Sequence, residues 1–205
     1  GYTGYSHQET TSNRYVVALV KQVNGAKAII AYDGGQFINS HKGGLYARAD
    51  AFTAPTGGVA NSFNYSGSYV GLLNTGTPAP GGPGGAFDPT ISYRTQGTVL
   101  ITADFAEMTV SGGITNRQIV DTATPLPDQL MNESGPIDAK GNFAGVTKYG
   151  DNTVSGDYSG IFSGLNASEI ATLYVFKPIS GNPDLVEQGM FVGSNCAAVG
   201  GPGCP

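Results

Sequence analysis

The chain has 205 residues, of which 32 are glycine, 12 proline and 11 tyrosine, with no tryptophan and only 12% charged side chains. That composition suits short strands joined by tight turns and excludes an ordinary helical domain, which is richer in Leu, Lys and Glu. A net charge of −5 without a basic cluster removes the electrostatic footprint of nucleic-acid binding, and no apolar run approaches the roughly 20 residues of a membrane-spanning helix.

Tyr15 to Val20 and Ala26 to Tyr32 are apolar and β-branched, and Val23-Asn24-Gly25 between them tolerates positive φ. The pattern predicts strand, hairpin turn, strand. A turn at Asp33-Gly34-Gly35 leads to Phe37-Ile38, Ser40 to Gly44 reads as a glycine-rich loop, and Leu45 to Ala49 as a short strand. Pro55-Thr56-Gly57-Gly58 reads as a break, which divides the chain into a small N-terminal unit, 1–59, and a larger one, 60–205.

Beyond the break, aromatic residues alternate with glycine: Tyr65, Gly67, Tyr69 and Gly71, then Tyr158, Gly160, Phe162 and Gly164. Each set falls on one face of a strand, with large and small side chains interleaved as a tightly curved sheet requires. Thr98 to Met108 also alternates, with Val99, Ile101, Ala103 and Phe105 forming one apolar side. Residues 74–91 carry too much Pro and Gly for a regular element and read as a long exposed loop. Asn166 to Leu173 has a helical look, with Asn166 as cap and Glu169 three residues later. Cys196 and Cys204 enclose a flexible loop that closes into a disulfide without strain, which would pin the C-terminus in an oxidising compartment; two free thiols are the alternative. A chain that starts at Gly1 instead of Met is expected to have lost a signal peptide or a tag.

Three segments resemble pieces of one family. Thr102 to Arg117, with Asp104-Phe105 and Gly113-Ile114-Thr115-Asn116-Arg117, is similar to a hairpin of the β-barrel shared by transferrin-binding protein B, factor H binding protein and their relatives. Gly160 to Ala171 resembles that barrel's G-x-F-x-G-x-N-A-x-E segment, and Gln188 to Gly193 its closing strand. The likeness covers roughly residues 60–205 and implies an all-β fold, a small N-terminal β-rich clamp domain followed by an eight-stranded antiparallel β-barrel. It implies a tight turn entering a strand at Ala171 to Phe176 in place of the helix, a secreted or surface-exposed Gram-negative protein, and export by a surface-lipoprotein translocon. With no cysteine near Gly1 to carry a lipid, the likeness points to the freely secreted branch, the hemophilins. These are hemophores that capture haem in the N-terminal domain and deliver it to an outer-membrane receptor for iron acquisition, with host haemoglobin as a source.

The chain has two histidines, His7 and His41, both outside the barrel region. Two neutral imidazoles on opposite faces of a porphyrin make a closed six-coordinate iron site suited to a carrier, so with the resemblance His7 and His41 are the expected haem ligands. A single-histidine site completed by Tyr5 or Tyr46 is the alternative, and two ordinary surface histidines the bland reading. Tyr2, Tyr5, Tyr15, Phe37, Leu45 and Tyr46 can supply an apolar slot, and Lys42 and Arg48 cations for the haem carboxylates. Enzymatic motifs are missing: no nucleophile elbow, no His-Glu-x-x-His and no phosphate-cradling glycine loop with its lysine. The rival class is a host-protein-binding module without cofactor, of the transferrin- or complement-factor-binding type.

Overall fold

The computed structural model describes residues 1–11, 15–34, 42–55, 61–74, 92–177 and 186–198. Phe37, Ile38, His41, residues 75–91 and Cys204 lie outside them. Among the described residues, thirteen strands and one short 3₁₀ turn account for the regular structure, so the fold is all-β as expected.

The first four strands, β1 (Thr3–Gln8), β2 (Tyr15–Val23), β3 (Ala26–Gly34) and β4 (Lys42–Arg48), form an antiparallel meander in that order. The β2–β3 hairpin turns at Asn24-Gly25, where Asn24 takes a positive φ of 45°, a conformation asparagine tolerates better than most residues. Sequence reading placed Lys42 to Gly44 in a loop; they instead open β4, because their backbone pairs with Tyr32, Ala31 and Ile30, which the glycine-rich composition does not prevent.

The remaining strands close a barrel. β5 (Ser62–Asn74), β6 (Ser92–Asp104), β7 (Thr109–Ile119), β9 (Gln129–Pro136), β10 (Asn142–Lys148), β11 (Val154–Ser163), β12 (Glu169–Phe176) and β13 (Val186–Ala198) pair each with the next. The last of them, β13, returns to pair with β5, while β8 (Thr124–Pro125) is a two-residue addition to β7. This is the expected eight-stranded antiparallel barrel, and closure leaves it without a free edge. Leu165–Ala167 is a 3₁₀ turn feeding β12, which replaces the helix suggested by Asn166 to Leu173; Asn166 and Ala167 both adopt positive φ, which no continuing α-helix allows.

Alternation fills the barrel as the sequence implied. Tyr65, Tyr69, Val99, Ile101, Ala103, Tyr158, Phe162, Tyr174, Phe176 and Phe191 all enter one core. Gly189 shows why glycine is interleaved: a Cβ there would sit 2.0 Å from the Tyr69 hydroxyl. At one end the core is aromatic, with Phe52 from the segment after β4 stacked at 6.2 Å from Phe105 and 6.3 Å from Phe162. Thr53 fixes that segment by accepting from the Ala167 amide and donating to the Gly164 carbonyl.

The other end holds a buried polar layer. Arg117, 4% exposed, meets the Glu187 carboxylate at 2.5 Å, and the Tyr69 and Thr95 hydroxyls donate to the same carboxylate at 2.6 Å. The guanidinium also donates to the Pro127 carbonyl and lies 4.8 Å over the Phe176 ring. Burial works against the charge on Arg117, and the adjacent Glu187 outweighs it, so its pKa is raised. Replacing Arg117 with Ala leaves Glu187 buried without its cation, which costs about 3–5 kcal/mol; denaturant unfolding should show that loss, and a loss below 1 kcal/mol would remove this pair from the barrel's essential contacts.

Burial also raises the pKa of Tyr65, Tyr69 and Tyr174 far above the ordinary 10.0, and pushes that of Tyr158 up to about 12. A group whose folded pKa is raised supports the fold fully below its unfolded value and withdraws that support as pH rises past it. Stability should therefore be flat towards neutral pH and fall above pH 10, the unfolded tyrosine value. Tyr65, Tyr69, Tyr158 and Tyr174 should ionise together with the loss of circular dichroism in one cooperative step; ionisation of these four near the ordinary 10.0 in a still-folded protein would contradict the packing.

Candidate functional site

The four-stranded sheet lies on the outer wall of the barrel. Pairing puts Leu19, Ala28, Ile30 and Tyr32 on its inner face, where they form a second core with Leu72, Ile161, Ala171, Met190 and Val192 from the outward positions of β5, β11, β12 and β13. Polar contacts lock the same interface. The Tyr2 hydroxyl donates to the Ser68 carbonyl. Ser163 Oγ reaches the Gly25 and Asp50 carbonyls at 3.2 and 3.1 Å. Arg48 donates to the Phe162 carbonyl at 2.7 Å and to Asn142 at 3.2 Å. Arg48, expected to reach haem carboxylates, is thus committed to holding the sheet on the barrel.

A groove runs along each edge of the sheet. Along β4 a small cleft of about 210 Å³ is lined by Ile30, Gly44, Leu173, Val175 and their neighbours. Along β1 a larger one of about 650 Å³ is bordered by Tyr2, Gly4, Tyr5, Ser6, Val17 and Leu19 on the sheet side and by Ser68, Val70, Arg94, Gln96 and Val120 of the barrel, so the predicted slot residues Tyr2 and Tyr5 both reach it. Arg94, on its rim, pairs with Asp121 at 2.6 Å, both half-exposed. Lys21 lies 4.8 Å over the ring of Tyr2, and partial burial lowers its pKa.

The predicted ligand residues fall on two faces. Tyr5 pairs with Ala18 and His7 with Val16, whereas Gly4 and Ser6 pair with Leu19 and Val17 of the inner face. Successive strand residues point to opposite faces, so Tyr5 and His7 share the outer, solvent-facing side. Tyr46 pairs with Ala28 and packs into the interface core, on the inner face and three strands away from β1. Tyr5 and His7 are therefore brought together, and Tyr46 is not. His41 lies outside the described residues; Lys42, which follows it, pairs with Tyr32, one row from the row that joins His7, Val16 and Asp33. Neither groove is lined by His7 or Tyr46.

The outer face itself was not singled out by sequence reading. Row by row it carries Thr3, Val20, Ile29 and Leu45, then Tyr5, Ala18, Ala31 and Gly43, with Gln22, Lys27 and Ala47 beyond at one end and His7 and Val16 at the other. Leu45 is 65% exposed and Tyr5 58%. An antiparallel sheet with one face on a core normally turns polar side chains to water, and this one turns valine, isoleucine, leucine and alanine. The signal was present in the unbroken run Val16-Val17-Ala18-Leu19-Val20, apolar at both parities in a strand that has only one covered face.

No protein-family model matches the chain, and no curated protein sequence does. Solved structures do. Transferrin binding protein B of Haemophilus parasuis Hp5, a vaccine antigen, superposes with a TM-score of 0.55 at 17% identity over 95% of this chain. The intact Ap-TbpB, with N and C lobes, gives 0.53 at 18% identity over 94%, and the isotype 1 protein of serogroup B Neisseria meningitidis 0.51 at 17% identity over 94%. The chain spans little more than a third of each, 37%, 38% and 36% of their length. The sheet-on-barrel arrangement is therefore the fold of a transferrin-binding protein lobe.

Arg48 gives a test of the interface. Its removal leaves the Phe162 carbonyl without its charged donor, and hydrogen bonds to charged groups are worth about 1.5–3 kcal/mol. Arg48→Ala should lower stability by roughly that amount, and amide exchange should quicken first in β4; unchanged exchange there would mean the guanidinium does not hold the sheet.

Proposed function

We propose that the chain is a binding module for a host protein, presented outside a Gram-negative cell, with the four-stranded sheet as its contact surface. The observation that carries this reading is the apolar outer face of that sheet, laid out on a rigid support and facing solvent. Contiguous apolar surface of this kind marks an interaction site on a soluble protein. The structural neighbours supply the first partner to try, since they carry the name transferrin binding protein. A module of this kind acts by recognition and needs no reacting group, which agrees with the neighbours being binding proteins.

Immobilised protein should retain transferrin from solution. Leu45→Lys, a change at an exposed position, should leave stability within about 0.5 kcal/mol and weaken retention at least tenfold. Transferrin that fails to bind at micromolar concentration, or that binds Leu45→Lys equally well, counts against this assignment.

Haem capture is the second reading, favoured by one feature: His7 stands on the same apolar face as Tyr5, beside Val16 and Ala18. In that reading His7 and His41 hold the iron, the flat face receives one side of the macrocycle, and the protein passes its cargo to an outer-membrane receptor. When bound, the iron porphyrin would supply only its own ligand exchange. The chain's residues would supply imidazole ligands and an apolar bed. Hemin titration should then give a sharp low-spin Soret band that His7→Ala and His41→Ala each alter; a spectrum indifferent to both variants would end this reading.

A further inference from the structure

We propose that the groove along β1 receives an extended peptide segment of the partner protein, which adds to the small sheet as a fifth strand. This rests on the protein-binding reading and names its mode of recognition.

The barrel has no edge to offer, but the small sheet has two, and among the described residues no strand pairs with the outer edge of β1. All six of its residues are exposed. Natural edge strands are usually blunted by lysine, proline, a bulge or a covering element. β1 reads Thr-Gly-Tyr-Ser-His-Gln, without a lysine or proline, and pairs with β2 in unbroken register from Thr3 to Gln8. Among the described residues, Thr3 to His7 make no backbone hydrogen bond except to β2. Every second residue of an edge strand directs its N–H and C=O outward. Such a row of alternating donors and acceptors is matched only by another extended backbone, and that defines the chemistry of the occupant.

The groove fits such a strand on its second side as well. Side chains of an added strand would alternate between the outer apolar face and the groove, whose walls Val17, Leu19, Val70 and Val120 ask for apolar residues. Two cations stand beside the groove, Arg94 on the rim and Lys21 under Tyr2, and Lys21 has no carboxylate partner among the described residues. A segment with apolar residues at every second position and one acidic residue is the complement. A second copy of this chain fits less well. Antiparallel pairing of two β1 edges about a two-fold axis places both barrels on the same side of the joined sheet, against the groove that the strand must enter.

The test uses the whole protein and a phage-displayed library of random dodecapeptides. Selected peptides should show alternating apolar residues, and synthetic copies should protect the β1 amides from hydrogen exchange. Two changes should each weaken binding at least tenfold. One is Gly4→Lys, where a Cβ meets only Leu19 at 3.6 Å, so that the side chain projects without displacing the core. The other is N-methylation of alternate amides in the peptide, which cannot disturb the protein. Peptides that bind without protecting β1, or that tolerate both changes, overturn the proposal, as does a dimer in light scattering that Gly4→Lys dissociates. Transferrin binding that survives Gly4→Lys overturns strand addition and leaves the protein-binding reading standing. Peptide binding without transferrin binding does the reverse for transferrin as the partner.

Discussion

A sheet has two faces and two edges, and laying one face on a barrel settles what happens to the other three surfaces. Here the inner face carries Leu19, Ala28, Ile30 and Tyr32 and is closed by Met190, Val192, Leu72 and Ala171. The register that buries those four side chains turns Val20, Ile29, Leu45 and Tyr5 outward, because a slip of one residue would exchange the faces completely. Small residues make the close approach possible: a Cβ on Gly44 would come within 2.9 Å of the Leu173 side chain. The exposure of an apolar surface is thus a consequence of the same pairing that fixes the sheet to its support.

The barrel is the rigid partner in this arrangement. Its closure through β13 and β5 satisfies every strand, its hydrophobic core runs as one cluster from Phe52 to Phe176, and a buried carboxylate with three donors stiffens one end. Ion pairs of this sort contribute little net stability over an apolar substitute, but each member is costly to orphan. The Arg117 and Glu187 pair therefore ties β7 to β13, strands that do not pair with each other in the sheet. Strand ends at that level carry the wall beneath β1, since Thr95 and Tyr69 occur both in the polar layer and along the groove.

The sequence made the barrel legible because its signal is local. Tyr65, Gly67 and Tyr69 alternate within one strand, and the face of Val99, Ile101 and Ala103 is wholly buried as read. The turn at Asn24-Gly25 was equally plain, while the tight turn before β12 was legible only through resemblance, since Asn166 to Leu173 read alone as helix. What could not be read was which residues share a surface across strands. Tyr5 and Tyr46 both look like slot residues in one dimension. They part only when β1 and β4 are seen at opposite edges and the pleat sends them to opposite faces. The edge and the grooves were invisible for the same reason, because a groove between Ser6 and Arg94 exists only after 87 intervening positions have been folded away.

Magnitudes decide how the face and the edge must act together. Four strands spaced about 4.8 Å apart and some six residues long present a face of roughly 300–400 Å². A stable protein contact needs about 800 Å² from each side. The apolar face alone falls short, and at roughly 25 cal/mol per Å² its burial yields only about 8–10 kcal/mol from this side before the cost of association, which is about 4–15 kcal/mol. A partner confined to the outer face would bind weakly. One that also enters the groove on the inner side gains the walls of Val17, Val70 and Val120 and a ladder of backbone hydrogen bonds along Thr3 to His7. It thereby makes β1 an interior strand, which is the one change that removes the edge and covers both faces beside it at once.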